Sequence, residues 1–98
     1  MYRPIYKNIS SATTETLITK NSGVSGSVNK ITISNHHDTS ANVINLYLYD
    51  GTNTYVIVET SIPAQTTLVL DDNLRFDSNT YNLKITTSSS ADLTIIIK

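Results

Sequence analysis

The chain has no cysteine. Disulfides and thiolate-bound metals are therefore excluded, and the fold must hold without covalent staples. Charge is also scarce, at 15% of residues where roughly 25% is ordinary. The seven basic residues are scattered from Arg3 to Lys98, and the net charge is −1. Phosphate contacts need clustered lysine and arginine, so the sequence offers no electrostatic footing for nucleic acid. No apolar run approaches the ~20 residues of a membrane-spanning helix. The opening Met1-Tyr2-Arg3-Pro4-Ile5-Tyr6 holds no continuous apolar signal segment. The expectation is a chain made and assembled in a cytoplasm, away from any membrane.

Serine, threonine and asparagine fill the space left by charge, making up over a third of the chain. Threonine and the many isoleucines are β-branched and suit strands, while asparagine and serine suit turns and edges. Ninety-eight residues suffice for one domain with one modest core. The clearest pattern is period-two alternation. From Asn42 to Asp50, Ile44, Leu46 and Leu48 fall on one side, and Val43, Asn45, Tyr47 and Tyr49 on the other. Asp50-Gly51 follows at once, a strong hairpin signal, and Tyr55–Glu59 returns. Pro63 ends that run, because proline has no N–H for a ladder.

Thr67–Leu70 is the next short strand, and Asp77-Ser78-Asn79 marks a turn. Tyr81, Leu83 and Ile85 alternate again, then Leu93, Ile95 and Ile97. Those last two runs read as a closing hairpin across Ser88-Ser89-Ser90. Earlier, Val28–Asn35 places Ile31 and Ile33 inward, and weaker strands surround Ile5–Ile9 and Thr14–Thr19. No helical stripe persists for two turns. The pattern specifies an all-β, single antiparallel β-sandwich, jelly-roll-like, of about seven to eight short strands. Residues 1–27 are read as either an N-terminal strand or an arm.

Few residues suggest chemistry. His36-His37-Asp38 has the flavour of a metal site, but adjacent residues on extended backbone face opposite ways. No further histidine or cysteine exists to complete a zinc site. No Gly-x-Ser-x-Gly elbow presents a nucleophile, so no catalytic residue is assigned. Asp71-Asp72-Asn73, with Asp77 and Asn79, could offer oxygens to calcium, yet the spacing is not that of an EF-hand. Turn chemistry explains them, because Asp and Asn bond their own backbone. No metal and no cofactor are assigned.

Aromatic usage is uneven, with six tyrosines against one phenylalanine and no tryptophan. Tyrosine suits half-wet surfaces, where the ring packs and the hydroxyl stays solvated. Tyr47, Tyr49 and Tyr55 are accordingly candidate interface residues, with cross-strand packing as the plainer explanation. Ile5 and Ile9 join them, since a free arm would leave both wet.

An ordered series of runs resembles a family of small virion proteins of tailed bacteriophages, notably those of cyanobacteria and marine bacteria. The runs are Lys30-Ile31-Thr32-Ile33-Ser34-Asn35, Ala41 through Gly51, Ile62 through Asp71, Tyr81 through Ile85, and Asp92-Leu93-Thr94-Ile95. The resemblance covers about seventy residues and consists of strand-and-turn grammar. It implies a non-enzymatic capsid cement or decoration protein located in the virion. It further implies the phage major capsid protein or other virion proteins as partners, and a homo-oligomer, with a trimer favoured. A tail, neck or fibre component is the alternative within that class, and a carbohydrate-binding or host-adhesion domain the alternative outside it.

Overall fold

The computed structural model describes residues 4–23, 26–71, 73–89 and 91–98. Its strands are β1 (Ile5–Ile9), β2 (Thr13–Ile18), β3 (Ser27–Val28), β4 (Ile31–Asn35), β5 (Asn42–Tyr49), β6 (Thr54–Ile62), β7 (Thr66–Leu70), β8 (Leu74–Arg75), β9 (Asn82–Thr87) and β10 (Leu93–Ile97). Two four-stranded sheets, ordered β1-β10-β4-β7 and β2-β9-β5-β6, form the body, with β3-β8 as a separate two-stranded ribbon. Every pairing is antiparallel. Among the described residues, only the β5–β6 hairpin joins sequence neighbours inside one body sheet. The other connections carry the chain between the body sheets, directly or by way of the ribbon. That order is the double Greek key of a jelly roll.

Alternation drives the assembly. Ile31, Ile33, Ile44, Leu46, Leu83, Ile85, Leu93, Ile95 and Ile97 all lie in the core, none more than 2% exposed. Each such side chain, once buried, contributes about 1.5–3 kcal/mol. The two weaker N-terminal runs are strands as well. β1 is an edge of the first sheet and β2 an edge of the second. Leu17 and Ile18 are adjacent yet both buried, because the β2–β9 register shifts between Thr16 and Ile18. A bulge of this kind lets two successive side chains face the same way.

One expectation is corrected. β9 and β10 do not form a hairpin; β9 pairs β2 and β5, while β10 pairs β1 and β4. Both strands bury one face, so their alternation is the same whether the chain turns back or crosses to the facing sheet. A set of buried polar groups accompanies the crossings. The β1–β2, β4–β5, β6–β7 and β9–β10 crossings all lie at one end of the sandwich, where Asn35, Asn42 and Thr87 are buried.

Asn35 donates from Nδ2 to the Ser40 and Ile62 carbonyls (3.0 and 2.9 Å), and its Oδ1 accepts from His37 N–H (3.0 Å). Asn42 Nδ2 donates to the Ser88 and Ser89 carbonyls (3.1 and 3.2 Å). The Thr87 hydroxyl donates to the Ser11 carbonyl (3.1 Å) and accepts from Thr13 N–H (3.2 Å). Each side chain thus bonds the backbone of a crossing loop, and the Asn35 bond to the Ile62 carbonyl is itself buried. Asn35→Ala should lower unfolding free energy by about 1–3 kcal/mol, the usual cost of orphaned buried groups. Urea denaturation measures it, and the exposed Thr67→Ala should stay within about 0.5 kcal/mol of the parent chain.

Candidate functional site

The outer face of the second sheet carries two of the sequence-predicted tyrosines. In β5 the inward set is Ile44, Leu46 and Leu48, so Tyr47 and Tyr49 stand outward, half-buried. Cross-strand pairing places Lys84 beside Tyr47, and the Lys84 ammonium lies 5.4 Å from the Tyr49 ring centroid. A cation over an aromatic face at that range is attracted by the ring quadrupole. The Tyr49 hydroxyl donates to the Gly51 carbonyl (2.9 Å), which fixes the ring against the hairpin turn. Asn45, Thr54 and Thr86 complete a shallow groove with these residues. The Asn45 Oδ1 is buried and has no hydrogen-bond partner.

Tyr55 belongs elsewhere. Tyr49 pairs Thr54, so Tyr55 sits opposite Leu48 and shares the inward side of the sheet at its end. It remains 52% exposed and meets Tyr81 edge-on, with centroids 5.8 Å apart. The three tyrosines therefore do not form one patch. Ile5 is half-buried and Ile9 only 3% exposed, both on the core side of β1. Ile9 is packed within this chain rather than presented to a neighbour.

Tyr6 and Val69, which the sequence alone does not single out, are also exposed. They flank the outward row Tyr6–Ile96–Thr32–Val69 across the first sheet and are 68% and 48% exposed. The neighbouring row is polar and hydrogen-bonded. Thr94 donates to Asn8 Oδ1 (2.9 Å), His36 Nε2 lies 2.8 Å from the Thr94 hydroxyl, and the Ser34 and Thr67 hydroxyls lie 3.0 Å apart. Alternation alone would have exposed Tyr6 as outward. Its partners come from three other strands.

A second feature had no sequence signal. Val28, Ile31, Ile57, Val58, Leu70 and Leu74 line an apolar slot of ≈ 190 Å³. It opens between the sheets on the flank of β6 and β7. The β5–β6 register shifts between Leu46 and Tyr47, leaving Ile57 unpaired, and this bulge brings both Ile57 and Val58 to the slot.

The polar clusters serve their own loops. His37 Nδ1 accepts from the Thr39 and Ser40 N–H groups (3.1 and 3.0 Å), while His36 lies over Thr94. The two imidazoles do not converge. Asp77 accepts from Asn79 N–H (3.0 Å) and from the Thr80 hydroxyl (2.7 Å), so both its oxygens cap its own turn. Asp72 lies outside the described residues. Among those described, no three of His, Asp or Glu come together in a way that could hold a metal ion.

No protein-family model matches the chain, and no curated protein matches it. Among solved structures, two crystal structures of a pentameric capsid protein from metagenomic phage sequences share 14% identity with it, each at TM-score 0.52 over 97% of this chain. This chain spans 59% and 64% of those chains, under two thirds in both. The Anabaena sensory rhodopsin transducer, 13% identical, is similar over 100% of this chain and 95% of its own at TM-score 0.44. At 14% identity the likeness to the capsid protein is one of fold.

Two carboxylates make the turns sensitive to acid. Asp50 accepts from Asn53 and Thr52 N–H groups (2.6 and 2.8 Å), which hold its pKa below the ordinary 3.8. Asp77 is likewise held below 3.8, first by the Thr80 hydroxyl and then by Asn79 N–H. A folded-state pKa below the unfolded value means stability that is present above 3.8 and lost as pH falls through the lowered value. The double variant Asp50→Asn, Asp77→Asn should therefore lose less stability than the parent between about pH 5 and pH 2. Urea midpoints across that range check it, and parallel losses would contradict the assignment.

Proposed function

We propose that this chain is a non-enzymatic structural protein of a phage virion, docking on the capsid lattice as a cement or decoration subunit. The observation that carries this reading is the jelly roll running through the whole chain, similar in fold to a pentameric phage capsid protein over 97% of its length. The ordered runs from Lys30 to Ile95 support the cement role through their resemblance to small tailed-phage virion proteins. The physical character of the surface agrees with it. Two broad, weakly charged sheet faces provide area for contact, and many copies on a symmetric particle each need little affinity.

The partners on this reading are the major capsid protein and further copies of the chain. The family resemblance favours a trimer, while the similar capsid protein is pentameric. A tail, neck or fibre position would use the same fold with fewer copies. One observation favours a different role. The groove of Tyr47, Tyr49, Asn45, Thr54, Lys84 and Thr86 combines aromatic rings with amide, hydroxyl and ammonium groups, which suits a sugar ring of a host glycan once Lys84 swings off the Tyr49 face.

Quantitative mass spectrometry of purified particles distinguishes these readings. Copies on the order of hundreds per particle support the lattice, and about a dozen or fewer the tail or neck. A chain absent from particles, whose isolated form binds glycans through Tyr47 and Tyr49, would replace the structural reading with the adhesive one.

A further inference from the structure

Any open sandwich must protect the backbone N–H and C=O groups of its edge strands, because these groups template the addition of another strand. The two body sheets have four edges, β1, β7, β2 and β6, and three of them carry recognised defences. β1 follows Pro4 and directs Lys7 inward, opposite Ile95. β2 directs Glu15 inward, opposite Ile85, and is bulged at Leu17. β6 is bulged at Ile57 and carries Glu59. Inward charges, prolines and bulges each spoil an edge for pairing.

β7 has none of these. Its sequence Thr66-Thr67-Leu68-Val69-Leu70 contains no charge, proline or glycine. Its ladder with β4 runs from Thr66↔Asn35 to Leu70↔Ile31 without a register shift. The apolar slot lies directly beside it, with Leu70 in its wall and Ile31 beneath. All six lining side chains are aliphatic, so water in the slot would find no hydrogen-bonding side chain there.

We propose that β7 is a strand-addition site for an extended segment of a neighbouring virion subunit. The segment would alternate uncharged polar and apolar residues, and one apolar side chain would fill the slot. The free edge and the adjoining slot together select that occupant. In strand addition, backbone hydrogen bonds supply affinity and pockets beside the edge read alternate side chains. A second copy pairing β7 to β7 would satisfy the edge but leave the slot empty, because the partner's Leu68 and Leu70 already face its own sandwich. This inference deepens the virion reading by naming the docking edge.

The test uses the free 98-residue chain, so it can fail while particle binding stands, and the reverse. The probe is a short synthetic peptide of alternating threonine and valine with a central phenylalanine and terminal lysines. Amide spectra and hydrogen exchange should show shifts and protection at Thr66–Leu70. Val69→Lys, at an exposed edge position, should weaken binding about tenfold or more, as should alanine in place of the central phenylalanine. Val58→Phe, which fills the slot, should do the same where its melting curve matches the parent. Val43→Lys, on the other sheet, should leave binding unchanged. No perturbation of β7 at about 1 mM peptide, or binding indifferent to Val69→Lys, would overturn the proposal. A dimer of the chain that Val69→Lys dissolves, with no peptide binding, would also overturn it by making a second copy the occupant.

Discussion

A chain that repeatedly changes sheets must tie each crossing loop to the sandwich it leaves and re-enters, and four such crossings lie at one end of this molecule. The side chains of Asn35, Asn42 and Thr87 meet that demand by bonding the connecting backbone: Asn35 reaches both Ser40 and Ile62, Asn42 reaches Ser88 and Ser89, and Thr87 reaches Ser11 and Thr13. An aliphatic residue at any of the three would leave these loop groups without their side-chain partner, at a cost of about 1–3 kcal/mol each. The apolar alternation supplies the driving force. The two amides and the Thr87 hydroxyl hold the crossing loops against that core.

That division explains what could be read in advance. The inward positions of β4, β5, β9 and β10 follow from periodicity, because a strand with one buried face must alternate. The Asp50-Gly51 hairpin was legible because its turn chemistry is local: Gly51 adopts φ +101°, and the Asp50 carboxylate bonds the next N–H groups. The β9–β10 crossing was not legible, since a hairpin and a crossing require the same alternation and similarly short polar loops. Asparagine is ordinarily a surface residue, so nothing near Asn35 or Asn42 announces burial. Bulges are a further limit. A single inserted residue reverses the phase downstream, and this is how Leu17 with Ile18, and Ile57 with Val58, come to share a side.

The candidate site was legible only in part, for the same reason. Tyr47 and Tyr49 occupy alternate positions of one strand, so their common face followed directly. Tyr55 lies near them along the chain, but the Leu48↔Tyr55 pairing puts it on the opposite side. The outward row Tyr6–Ile96–Thr32–Val69 draws one residue from each of four strands, and the slot draws on residues from Val28 to Leu74. Surfaces built across strands depend on strand order, which local patterning does not encode.

The two flanks of the sandwich differ in a way that neither hydrophobic burial nor turn chemistry requires. On the β1–β2 flank, Lys7 and Glu15 face inward and remain half-buried, which costs some of the desolvation that an isoleucine would have gained there. On the β6–β7 flank the corresponding space is lined by aliphatic side chains and left unfilled, which forfeits dispersion contacts. A chain selected only for its own stability would fill the slot with a larger side chain and remove the inward charges. Both departures are accounted for together if one flank must stay solitary and the other must accept a neighbour. On the proposed lattice role, a single receptive edge per subunit would also give association a direction, so that copies add at defined places and not to one another without limit.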